Sequence, residues 1–175
     1  MNKDQTKEKN KLQIFYFQIV DIWHRLCKEH TNLLDLTCEE YSLLLSNDIN
    51  DLEKTIHKKR LVMAQIDNLD KLRSQTIENI NEAEGSQINS VSELLETMNQ
   101  FEEHENQKHL WRFNQLLTDI IEKIQEQNKR NQIFISKASR ALQEIKNEIL
   151  GEKNYVTYTA NGIKTSSTNS RNVTK

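Results

Sequence analysis

Five histidines, two cysteines and many carboxylates are the residues of this chain that could do chemistry. Their spacing argues against each site they could build. The histidines are His24, His30, His57, His104 and His109. A di-iron or di-manganese bundle needs inward glutamates and repeated Glu-x-x-His pairs, which put both ligands on one helix face. The residues three before the histidines are Asp21, Cys27, Lys54, Phe101 and Asn106. None is glutamate, and only Asp21–His24 approaches the pair. No two histidines stand four apart, so a helical zinc pair is not formed either. The spacing predicts no metal site and no cofactor, with the histidines as solvated or boundary residues.

Nucleophilic and phosphate chemistry fare no better. The chain has no G-x-S-x-G element, and its three glycines, Gly85, Gly151 and Gly162, are too few and too scattered to cradle a phosphate. The carboxylates read as solvated helix faces, so no enzyme is expected. Cys27 and Cys38, on one helix, would lie roughly 16 Å apart. A disulfide needs Cα atoms within about 7 Å, so both read as small core or boundary residues of a reducing compartment. Lys54 with Lys58-Lys59-Arg60 forms a basic cluster, but Asp48, Asp51, Glu53, Asp67 and Asp70 dilute its field. It reads as a charged outer helix face. A net charge of -2 disfavours nucleic acid as a partner.

The elements that would hold these residues follow from what the chain lacks. It has no proline, and Gly85 is the one glycine before position 151. With 29% charged residues and 35% hydrophobic ones, it is a set of long helices with a narrow core. The fold predicted is all-α: an elongated antiparallel bundle of four coiled-coil-like helices, with no strand and a disordered C-terminal tail. Residues 1–8 are expected to be a flexible N-terminus, 9–150 the helical bundle and 151–175 a flexible tail. The helices are placed at about 9–46, 48–82, 88–102 and 106–150, with a turn over Glu102–His109.

The first seam runs Leu12, Phe15, Ile19, Ile22, Leu26, Leu33, Leu36, Leu43, with Glu29 and Glu40 at two core positions. The second runs Ile49, Leu52, Ile56, Met63, Ile66, Leu69, Ile77, Ile80. Val91, Leu94, Leu95 and Met98 face inward on the third. Ile14–Trp23 is the most apolar stretch and is too short and polar to span a membrane. The N-terminus carries no secretory signal pattern, and the expected location is the cytoplasm.

The fourth seam is Leu110, Phe113, Leu117, Ile120 and Ile124, then Phe134, Ala138, Leu142, Ile145 and Ile149. Gln127, Asn128 and Asn131 form a polar layer between the two halves. If the helix is uncovered beyond that layer, the amphipathic stretch Ile133–Ile149 is open to a partner helix.

Glu39–Arg73, EEYSLLLSNDINDLEKTIHKKRLVMAQIDNLDKLR, resembles the core of FlgN-type flagellar export chaperones. The elements that carry it are Leu43-Leu44-Leu45, the junction Asn47-Asp48, Leu52 with Lys59, and Arg73. Asn114-Gln115-Leu116-Leu117 with Asn128 and Asn131 is similar to the family's long last helix. Tyr158-Thr-Ala-Asn-Gly162 is similar to its Tyr-x-x-x-Gly element. The resemblance spans positions 12 to 162, and Phe15-Tyr16-Phe17 departs from it.

The resemblance implies a cytosolic, non-enzymatic chaperone. Its partners would be the C-terminal helices of hook-associated (hook-filament junction) flagellar proteins and the flagellar type III export gate. Phe134, Ile135, Ala138, Leu142, Ile145 and Ile149 are the expected client-binding face. Tyr155 and Tyr158 are the expected export-gate contact. The competing expectation is a structural coiled-coil protein without a client, which would self-associate through the Ile133–Ile149 face.

Overall fold

The computed structural model describes residues 3–85, 87–102, 108–149, 155–158 and 164–167. Four helices carry the fold: α1 (Lys3–Ser46), α2 (Ile49–Glu84), α3 (Val91–Glu102) and α4 (His109–Ile149). Two short strands follow, β1 (Tyr155–Tyr158) and β2 (Lys164–Ser167). The chain divides into two units, Met1–Lys129 and Arg130–Lys175.

Helix α1 starts at Lys3 rather than at Lys9. The leader is polar, but its Lys, Gln and Glu residues are good helix formers, and nothing in it breaks a helix. At the other end the chain turns within two residues. Asn47 takes the left-handed conformation at φ 57, and the Asp48 amide donates to the Leu43 carbonyl at 3.1 Å. This bond satisfies one of the last carbonyls of α1. The Asp48 carboxylate then accepts from the Asp51 amide at 3.1 Å and caps α2. One Asn-Asp pair therefore ends one helix and starts the next.

Gly85 closes α2 at φ 63, a conformation that a side chain would strain. The Ile88 amide donates back to Asn81 Oδ1 at 2.9 Å, tying the connection to the end of α2. Ser90 caps α3 by accepting from the Glu93 amide, and the Glu93 carboxylate accepts from the Asn89 amide. Glu102 is buried and accepts from the Leu110 amide at 2.5 Å, capping the first turn of α4. Most of the turn expected over Glu102–His109 lies outside the described residues, as does the Gly151 helix stop.

In the first unit α2 runs antiparallel to α1. Glu40 meets Lys59, and Trp23 meets Arg73, so positions descend along α1 as they ascend along α2. The first part of α4 runs in the direction of α1: Cys27 bonds the Phe113 carbonyl, and Lys59, paired with Glu40, also reaches Asn128. The core gathers Leu12, Ile19, Ile22, Trp23 and Leu26 of α1 with Ile66, Leu69 and Ile80 of α2. Leu94 and Met98 of α3 and Leu110 and Leu117 of α4 complete it. Each such side chain, removed from water, contributes about 1.5–3 kcal/mol.

The seam of α2 differs from the expected one. Ile49 and Met63 are exposed, Ile56 and Ile77 are half-buried, and one buried or half-buried row runs Leu52, Thr55, Lys59, Val62, Ile66, Leu69, Arg73, Thr76, Ile80. Its steps alternate three and four, a strict heptad whose positions Thr, Lys and Arg share with the aliphatic residues. Thr76 satisfies its hydroxyl on the Leu72 carbonyl at 2.8 Å. Lys59 is thus an inward residue rather than part of a charged outer face. Val91 is exposed as well: it follows the Ser90 cap and precedes the stripe that Leu94 begins.

In the second unit β1 and β2 pair antiparallel, with Tyr155 opposite Ser167 and Tyr158 opposite Lys164. The tail therefore holds a two-stranded ribbon where no strand was expected. Tyr-Val-Thr-Tyr is rich in strand-forming residues, and Asn161-Gly162 lies between the two runs, a strong hairpin signal in sequence.

Candidate partner-binding face

Helix α4 repeats one stripe along its whole length. Leu110, Leu117, Ile120 and Ile124 lie on it and are buried. Gln127 is half-buried, Asn128 is exposed and Asn131 is buried, so the predicted polar layer stands where the stripe changes character. Asn128 Oδ1 accepts from Lys59 Nζ at 3.4 Å, which gives the layer a charged partner.

Beyond Asn131 the same stripe is largely open. Phe134 is half-buried, and Ile135, Ala138, Leu142, Ile145 and Ile149 are exposed. Leu142 is 67% exposed, Ile145 52% and Ile149 78%. From Ile135 to Ile149 the steps alternate three and four, and Phe134, three after Asn131, borders the same helix face. Scattered exposed aliphatics need no explanation, but a helical row of them does. On α4 away from it, Gln143 donates to Asn147 at 3.2 Å, and Lys146 in the last turn complements the helix dipole.

Tyr155 and Tyr158 begin and end β1. They belong to a regular element, with both positions paired in the ribbon register. The spacing of Tyr155–Tyr158 from Lys164–Ser167 and the Asn-Gly between them were the signals that could have found it.

Among the described residues no group of three His, Cys, Asp or Glu side chains is placed to hold a metal ion. No helix there is long and apolar enough to cross a membrane. Cys27 is buried and Cys38 exposed, both with free thiols.

The FlgN protein family matches residues 16–166, a span that takes in the core helices, the open stripe of α4 and β1. This chain belongs to the FlgN family, the flagellar export chaperones. Comparison with curated proteins and with solved structures finds no significant match. The matched span contains both the buried part of the α4 stripe and its exposed apolar row. The heptad cores of α1 and α2 are by contrast already filled.

Proposed function

We propose that this FlgN-family protein works in the cytoplasm, binding the C-terminal assembly helices of hook-filament junction proteins and delivering them to the export gate. It performs no catalysis. The observation that carries the reading is the α4 stripe, buried from Leu110 to Ile124 and exposed at Ile135, Leu142, Ile145 and Ile149. An amphipathic client helix laid on this row removes apolar surface of both chains from water, without ATP. Clients of this kind are export-competent only while unassembled, and covering their sticky helix keeps them so.

Phe134, Ile135, Ala138, Leu142, Ile145 and Ile149 form the client face in this reading. Leu142 and Ile145 sit at its middle, where anchors contribute most. Leu142→Asp/Ile145→Asp should weaken client binding at least about a hundredfold, from roughly 1.5 kcal/mol per anchor. Helicity should hardly change, because both side chains are exposed. If the variant unfolds, the face is core and the client site lies elsewhere. If the chain instead forms a stable dimer through this face and takes up no junction protein, the structural coiled-coil reading replaces this one.

A further inference from the structure

In the first unit, α1 and the start of α4 border an open groove of about 430 Å³. Its walls are Tyr16, Phe17, Val20 and His24 of α1 and His109 and Phe113 of α4, with Asp21 as its one carboxylate. The aromatic side chains are well supported. Tyr16 stacks on Phe101 at 5.8 Å between centroids, and Phe17 meets Tyr16 edge-on at 5.4 Å. His24 leans on Phe113 at 5.4 Å. Phe17 is nevertheless 52% exposed, a large aromatic surface left in water.

We propose that this groove receives an arginine side chain of a partner polypeptide. Aromatic faces carry negative charge density and attract cations, and a carboxylate beside them adds a full negative charge. An apolar side chain alone would strip water from Asp21 and give nothing back. An anion would meet the same carboxylate with like charge. Arginine suits the place better than lysine: its guanidinium is flat, weakly hydrated, stacks on rings and grips a carboxylate through paired N–H groups.

The same stretch of α1 already attracts cations from its own chain. Lys11 Nζ lies 5.7 Å from the Phe15 ring centroid, and the Arg73 guanidinium carbon 5.5 Å from that of Trp23. Asp21 has Arg25 at 3.6 Å, but both side chains are more than half exposed, and such a pair yields readily to a better-placed cation.

The test uses the full chain and two peptides, acetyl-Leu-Arg-Leu-Leu-amide and its analogue with citrulline in place of arginine. Citrulline keeps the shape and removes the charge. Binding is followed by ring resonances of His24 and Phe113 in an NMR titration at pH 8. The arginine peptide should give saturable shifts at both rings and bind about fivefold or more tightly than the citrulline peptide. Asp21→Asn and Phe17→Ala, both at exposed positions, should each weaken it about three- to tenfold with the circular dichroism spectrum unchanged. Equal affinity for the two peptides, no saturable shift at these rings, or undiminished binding by both variants would overturn the proposal.

Discussion

Lys59 Nζ lies 2.5 Å from Glu40 Oε2, and both side chains are only 15% exposed. They face each other from heptad rows of two long helices. Glu40 follows Leu12, Ile19, Leu26 and Leu33 at seven-residue steps, and Lys59 stands in the row Leu52, Ile66, Arg73, Ile80. Sliding α1 against α2 by a heptad would keep leucine on leucine but leave both charges in an apolar layer. The pair, with Asn128 reached by the same ammonium, fits the register that the two-residue junction at Asn47-Asp48 sets.

Removing one partner therefore costs more than removing both. Lys59→Ala should destabilise the protein by about 2–3 kcal/mol, because it takes the ammonium away from a largely buried ion pair. Glu40→Leu/Lys59→Met should recover most of that loss. Urea denaturation of the two variants checks this. A Lys59→Ala change within about 0.5 kcal/mol of wild type would mean that the pair is an ordinary surface bridge.

The two cysteines should behave differently. Burial pushes the Cys27 thiol from an ordinary 9.0 up to about 11. In native protein an aromatic disulfide reagent should modify Cys38 quickly, and Cys27 only after unfolding. Folded Cys27 holds its proton where the unfolded chain has lost it. Its contribution to stability is therefore full below pH 9 and is lost as the pH rises to about 11. Two thiols reacting at equal rates in native protein would contradict the burial.

The α1–α2 junction offers a local test. Asp48→Ala removes the cap of α2 and should cost about 1 kcal/mol. Asn47→Gly relieves a positive φ and should be neutral or slightly stabilising. Asn47→Val should be clearly destabilising, since a β-branched residue resists that conformation. Thermal unfolding of the three variants should rank them in that sense, and equal midpoints for glycine and valine would refute the left-handed turn.

Much of this fold is legible in the sequence because breakers are rare and aliphatic spacing is strong. Leu12, Ile19, Ile22 and Leu26, then Ile66, Leu69 and Ile80, are buried as expected. The failures lie where polar residues occupy inward positions. Thr55, Lys59 and Thr76 look like surface residues by type, and Ile49 and Met63 like core. Only the strict alternation of three and four sorts them, and a loose stripe of apolar residues conceals it. Glu102 is a further case: a carboxylate in a charged run that turns inward to cap a helix. Helical periodicity says nothing of the tail ribbon, because its signal is two short strand-forming runs with an Asn-Gly pair between them in sequence.

Tyr155 and Tyr158, in β1, are proposed as the export-gate contact. Losing one aromatic anchor costs ~2 kcal/mol, close to thirtyfold in affinity. Tyr155→Ala/Tyr158→Ala should keep client binding and lose both gate binding and export of the client. Equal gate affinity of variant and wild type in a titration would leave the tail without this role. Loss of client binding alone would move the tyrosines into the client site.

The central claim is that the open row of α4 is the client site, and hydrogen exchange on the full chain tests it most directly. Amides of Phe134 to Ile149 should exchange readily in the free protein, since their helix face is open to water. On addition of a hook-filament junction protein that carries its C-terminal helix, protection should appear there and be strongest around Leu142 and Ile145. The same junction protein without that helix should leave exchange unchanged. Protection confined to Met1–Lys129, with Phe134 to Ile149 exchanging as in the free chain, would contradict the account.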